Sequence, residues 1–168
     1  GLGATNAMLA GSVDFTVHSG PSLIRGNIRG QKMLAVALMA SGVAFEISTR
    51  PDAAQGITMA MPLAERARSL KGRKIAVDTP NTIIHAFLRY VARKGGVDPE
   101  REITVSSMHA ENALAAIKSG AIDGAVFVFP FTKTSQRQGN VRSAAGITDV
   151  QELLPLASAD TATRPDLC

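Results

Sequence analysis

Arg73-Lys74-Ile75-Ala76-Val77-Asp78-Thr79-Pro80-Asn81-Thr82-Ile83-Ile84-His85-Ala86-Phe87-Leu88-Arg89-Tyr90-Val91-Ala92-Arg93-Lys94-Gly95-Gly96 is the stretch that decides the fold class. It opens on a short β-prone run, Lys74 to Val77, and crosses a proline turn. It then places Ile83, Ile84, Phe87, Leu88 and Val91 at helical spacing before a double-glycine stop. Downstream the alternation continues: Ile103 to Ser106 reads as a strand, Asn112 to Ser119 as a helix, and Ala125 to Val128 as a buried strand. Strand, helix, strand, helix, strand is the pattern of a mostly parallel sheet flanked by helices, so the expected class is α/β.

Upstream the reading is coarser. Thr5 to Ala10 predicts a short helix closed by Gly11, and Val13 to Val17 a strand. The His18-Ser19-Gly20-Pro21-Ser22 turn leads into a helix around Leu23 to Ile28. Met33 to Met39 and Ala44 to Ser48 read as buried strands, Arg50 to Pro62 as a loop, and Leu63 to Leu70 as a short helix. The chain also repeats itself. Gly11-Ser12-Val13-Asp14 matches Gly120-Ala121-Ile122-Asp123; each follows a helix of small residues, and a proline follows each, at Pro21 and Pro130. A glycine cap, a linking residue, an apolar side chain and an Asp at strand entry imply two similarly wound units. Aligning the copies predicts that roughly 35 to 40 further residues stand ahead of Gly1.

Composition narrows the function classes. The chain has 168 residues, 4% aromatic, without Trp, at a net charge of +4. Its basic residues are scattered, with a short cluster at Arg66, Arg68, Lys71, Arg73 and Lys74 that reads as a solvated helix face and loop. That is not the one-sided array that binds nucleic acid. No apolar run approaches the roughly 20 residues that cross a bilayer. The single cysteine, Cys168, forms no cluster of thiolate ligands. His18, His85 and His109 lack metal-site spacing, so no metal or other cofactor is expected. Neither a G-x-S-x-G elbow nor a phosphate-binding G-x-x-x-x-G-K-[ST] loop occurs, and no catalytic residue is assigned.

Ligands of open α/β sheets sit beyond the carboxyl ends of the strands, where helix starts present unpaired N–H groups. Three loops qualify. Ser19, Gly20 and Pro21 offer a hydroxyl, close backbone approach and a helix start. In Asp78-Thr79-Pro80-Asn81-Thr82, Thr79 or Asn81 is the expected N-cap, with Pro80 in the first turn. His109 opens the following helix with an imidazole that can donate or accept. Phe127, Phe129 and Phe131 share a face if their strand runs on, which puts Phe129 and Phe131 late enough to wall a pocket. Helix capping, an exposed helix-start histidine and ordinary core packing explain the same residues without a ligand.

Four stretches carry a family resemblance: Ala7 to Phe15, Ser69 to Val77, Gly96-Val97-Asp98-Pro99 and Ala115 to Ala125. Together they resemble the nitrate/sulfonate/taurine group of ABC-transporter solute-binding proteins, nearly along the whole chain. The resemblance implies a two-lobed type 2 periplasmic-binding fold, each lobe a mostly parallel sheet flanked by helices, here truncated at both ends. It implies a first lobe over 1–70, a second over 71–153, and a return crossover over 154–168. Carried over by position, the cleft residues fall on Ser19, Gly20 and Pro21, and on Thr79, Asn81 and Thr82. The chain departs from the family at Phe129-Pro130, where many members have Glu-Pro, and at His109, where many have a small residue.

The implied function is that of the substrate-binding component of an ABC importer. It captures a small organic solute (a sulfonate, nitrate, an aromatic acid or a thiamine-precursor type) between the lobes and hands it to membrane permease subunits. The expected state is a monomer, periplasmic or lipid-anchored outside the inner membrane, that catalyses nothing and binds no nucleic acid. Two alternatives share the fold. One is an enzyme of desulfinase or pyrimidine-synthase type, which needs a Cys or His-rich cluster in the cleft. The other is the effector-binding domain of a transcription regulator, which needs a DNA-binding helix-turn-helix.

Overall fold

Alternation along Ile75-Ala76-Val77 and Ala125-Val126-Phe127 sends successive side chains to opposite faces of a sheet. In the computed structural model of the chain, which describes residues 2–38, 45–58, 60–128, 130–137 and 142–145, both runs are central strands. The chain divides into two compact units, Gly1–Ser41 and Gly42–Cys168. In the second, β1 (Phe45–Thr49), β2 (Lys74–Val77), β3 (Thr104–Ser107), β4 (Gly124–Val128) and β5 (Arg142–Ala145) form one sheet in the order β3-β2-β4-β1-β5. β2 runs parallel to β3 and β4, whereas β1 lies antiparallel between β4 and β5. Four of the five strands therefore share one direction, as the α/β pattern predicts.

The two faces carry different side chains. Ile47, Ile75, Val77 and Val126 build one core with α3 (Leu63–Arg68) and α4 (Ile83–Lys94), which bring Ala67, Phe87, Leu88 and Val91. Each of Phe87, Leu88 and Val91 contributes about 1.5–3 kcal/mol by burial, and Phe45 tilts against Phe87 with ring centroids 5.7 Å apart. The other face is narrower: Ala76, Ala125 and Phe127 meet Ala113 and Ile117 of α5 (Ala110–Lys118), with Ile122 from the preceding turn. α6 (Phe131–Arg137) follows β4 directly. At Gly124 an added Cβ would stand 2.5 Å from the Ser48 carbonyl oxygen, so only glycine lets β1 and β4 pair there.

Asp123 ties three strands together where they begin or end. Its carboxylate accepts the Lys74 N–H at 2.8 Å, and its backbone N–H donates to the Lys74 carbonyl at 2.9 Å. Its carbonyl accepts the Arg50 N–H at 2.8 Å. The guanidinium groups of Arg50 and Arg73 stand 3.6 and 3.7 Å from the same carboxylate. The basic cluster is thus only partly solvated. Arg66 is buried, with its Nε donating to the Met61 carbonyl, and Arg73 belongs to the Asp123 network.

The unit formed by 1–41 repeats the cap geometry and not the strand. Just past α1 (Leu2–Leu9), Gly11 adopts φ +73° and donates to the Met8 carbonyl, while Ser12 donates to the Ala7 carbonyl. Gly120, at φ +78°, donates to Ile117, and Ala121 donates to Ala116. Both are the same left-handed helix stop. Past it the copies diverge. β4 has a hydrogen-bonded neighbour on each edge, whereas the expected strand Val13 to Val17 forms no strand, and Phe15 and Val17 are 76% and 70% exposed. The described part of the expected strand Met33 to Met39 is likewise irregular, with Leu34, Val36 and Leu38 exposed. α2 (Gly20–Ile28) begins three residues before the reading around Leu23.

Other departures have local causes. β1 and α3 pack within the second compact unit. The return crossover expected over 154–168 lies outside the described residues. β5 and α6 carry no periodicity strong enough to have been read beforehand. The N-cap of α4 is Thr82, at φ −92° and ψ 178°. Neither Thr79 nor Asn81 caps it, and Pro80 lies in the preceding turn. Asn81 takes φ +61°, a left-handed conformation that Asn tolerates, and its N–H donates to His85 Nδ1 at 3.1 Å. His85, expected only as part of an amphipathic helix, is buried. Burial, followed by the positive charge of Arg89, holds its pKa below the usual imidazole value, and Glu100 opposes this weakly.

Two outcomes follow from these contacts. Asp123→Ala removes the acceptor of the Lys74 N–H and the carboxylate beside Arg73, while Arg50 keeps its pair with Asp52 at 2.8 Å, and should lower unfolding free energy by about 1–3 kcal/mol in urea titration. The repeat counterpart Asp14 is exposed, and Asp14→Ala should change it by less than about 0.5 kcal/mol. For His85 the unfolded chain takes up the proton first on acidification. Its contribution is therefore complete above about pH 6.5 and falls as pH drops from there towards the lowered folded value. His85→Gln, which keeps an acceptor for Asn81, should flatten the dependence of melting temperature on pH in that window.

Candidate functional site

Small side chains on the α5 face leave space at the carboxyl ends of β2 and β4. A cavity of about 300 Å³ opens there, floored by Ala76, Ala125 and Phe127 and roofed by Ala113. Ile84, Met108, Val128 and Phe131 add apolar wall, while Asp78, His109 and Glu111 supply its charged and imidazole groups. The volume lies at the low end of the ~300–1,000 Å³ typical of ligand pockets, which suits a small solute. The location is the one that sheet topology favours, past strand ends and at helix starts.

His109 is the N-cap residue of α5, with extended backbone at φ −65° and ψ 155° and no side-chain bond to its own helix. Its ring turns instead to Asp78 across the adjacent strand end, Nδ1 standing 2.9 Å from Oδ1. The ring thus meets the carboxylate through Nδ1 and leaves Nε2 for other partners. The two side chains are 83% and 48% exposed, so the pair orients the ring more than it stabilises the fold. The Asp78 carbonyl accepts the Ser107 hydroxyl at 3.0 Å, fastening the β2 and β3 ends. Glu111 stands in the first turn of α5.

Of the residues expected from sequence, His109 and Phe131 line the cavity. Thr79, Asn81 and Thr82 do not. They build the loop behind Asp78, where the Thr82 hydroxyl donates to the Thr79 carbonyl at 2.7 Å and Asn81 is tied to His85. Ser19, Gly20 and Pro21 start α2 in the first unit, with Ser19 as N-cap and its hydroxyl 2.9 Å from that of Ser22. Phe129 lies outside the described residues. Phe131 is the first residue of α6, not a continuation of β4, so the three phenylalanines do not share a strand face. Sequence reasoning missed Asp78, Glu111, Ile84 and Met108. Asp78 precedes Thr79 and Glu111 lies two residues past His109, so position at a helix start could have found both.

Two fields meet at this wall. The first-turn N–H groups of α5 favour an anion by about 0.3–1 kcal/mol. An anion placed about 4 Å from one carboxylate meets repulsion of about 1 kcal/mol in bulk water and about 4 kcal/mol at an effective dielectric of 20. The two carboxylates together oppose an anion at least as strongly as the helix end favours one. Among the described residues, no lysine or arginine lines the cavity and no cluster of metal-ligating side chains occurs.

Comparisons with known proteins place this geometry. No curated protein matches the sequence. Among solved structures, a protein from Bordetella bronchiseptica RB50 aligns at TM-score 0.69 and 20% identity, over 90% of this chain and 46% of its own. The ligand binding component of an ABC-type import system from Staphylococcus aureus, solved with zinc bound, aligns at 0.63 and 16%, over 87% and 47%. A putative periplasmic sulfonate-binding protein of an ABC transporter from Methylobacillus flagellatus KT aligns at 0.53 and 16%, over 83% and 39%. At these identities the likeness is one of fold, and the chain spans less than half the length of each structure. It supports the α/β class read from the sequence. The NMT1-like family model matches residues 4–154, nearly the whole chain, and the chain therefore belongs to the NMT1-like family.

Proposed function

We propose that the protein is the substrate-binding component of an ABC importer, capturing a small organic solute and presenting it to membrane permease subunits. The observation that carries the reading is the cavity at the ends of β2 and β4, apolar on most sides and polar at the start of α5. Support comes from the fold shared with solved binding proteins of such systems and from the ordered motifs in the sequence. His109 and Phe131 are its proposed contacts, together with Asp78, Glu111, Ile84 and Met108. Thr79, Asn81 and Thr82 serve by holding the loop that presents Asp78. Ser19, Gly20, Pro21 and Phe129 are kept as further proposed contacts.

The proposal includes a monomer working outside the inner membrane, periplasmic or lipid-anchored, that releases its solute unchanged. Solved neighbours titled as periplasmic nitrate- and sulfonate-binding proteins support that setting. No helix among the described residues is long and apolar enough to cross a membrane.

Thermal unfolding against a panel of small organic solutes tests the role. A solute at 100 times its dissociation constant should add about 2.7 kcal/mol, and it should be recovered chemically intact by mass spectrometry. Val128→Phe, which fills the cavity from β4, should abolish the shift. Stabilisation that survives this variant moves the site elsewhere, and conversion of the solute returns the enzyme reading. Ser19→Ala is the separate test for the turn before α2, with an expected loss of about 1–3 kcal/mol of binding free energy.

A further inference from the structure

The charged groups of the cavity wall are both carboxylates. Asp78 and Glu111 are acceptors when ionised, and Nδ1 of His109 stands 2.9 Å from Oδ1 of Asp78. The remaining walls, Ile84, Met108, Val128, Phe127 and Phe131, are apolar, and no lysine or arginine among the described residues lines the space. The opposing field, from the N–H groups that open α5, is already met by Glu111 in its first turn and by Asp78 beside its N-cap residue.

We infer that the solute taken by this cavity is a compact organic cation, an amidinium or primary ammonium group on an apolar body. The cationic group faces Asp78 and Glu111, and the body packs between Ile84, Met108 and Phe131. The inference rests on the binding role proposed above and narrows it. Of the solutes that the family resemblance suggests, sulfonate, nitrate and aromatic acids would bring a negative charge to two carboxylates.

Benzamidine and benzoate have nearly the same shape and opposite charge, which makes them matched probes. With the purified protein, benzamidine should raise the melting temperature in a concentration-dependent way, whereas benzoate, ethanesulfonate and nitrate should not. Asp78→Asn and Glu111→Gln should each weaken benzamidine binding at least tenfold while leaving the unliganded melting temperature within a few degrees. Val128→Phe should abolish the binding, with Met108→Trp in its place if Val128→Phe lowers the unliganded melting temperature. Binding of benzoate or ethanesulfonate that Val128→Phe removes would overturn the cation assignment and leave the binding role standing. Equal benzamidine affinity in Asp78→Asn and Glu111→Gln would overturn the assignment as well. No shift with any probe would overturn both.

Discussion

Asp123 is the constraint on which the second unit depends. One carboxylate and one peptide unit hold the start of β2, the entry to β4 and the residue following β1 in a single network. Because side chains in a strand alternate with period two, a one-residue slip at this point would exchange the two faces of the sheet. Ile75, Val77 and Val126 would then lose α4, and Ala76 and Ala125 would lose α5. A partly buried acid between two arginines is worth keeping for this reason even where the ion pairs themselves contribute little.

Once the register is set, asymmetry between the faces produces the site. The α4 face is filled by buried Ile, Val, Leu and Phe side chains. On the α5 face, three alanines at strand and helix positions leave less side chain than the interlayer space can hold, so a cavity remains where the strands end. Filling that space with larger residues would favour stability; leaving it open is the kind of concession that binding sites make.

The electrostatics of the site belong to loops that local propensity describes poorly. The β2–α4 connection was legible as a capping segment, but the cap is Thr82, and Asn81 instead turns left-handed to reach His85. His109 was legible as a helix opener. That its ring would leave its own helix for Asp78 depends on the parallel pairing of β2 and β3, which brings Val77 and Ser107 into register. Residues thirty positions apart meet there, and no spacing rule within either segment anticipates the meeting.

Sequence alone determined the α/β class, the run from β2 to β4, the glycine stops at Gly11 and Gly120, and the family. Each rests on short-range periodicity, on the left-handed freedom of glycine, or on ordered motifs. Tertiary structure decided which copy of the repeat becomes a strand. Val13 to Val17 and Gly124 to Val128 share a pattern, yet only the latter has backbone partners on both edges to satisfy its N–H and C=O groups. It also decided that Asp78, His109 and Glu111 meet at one wall of the cavity, because that depends on which strand ends lie side by side.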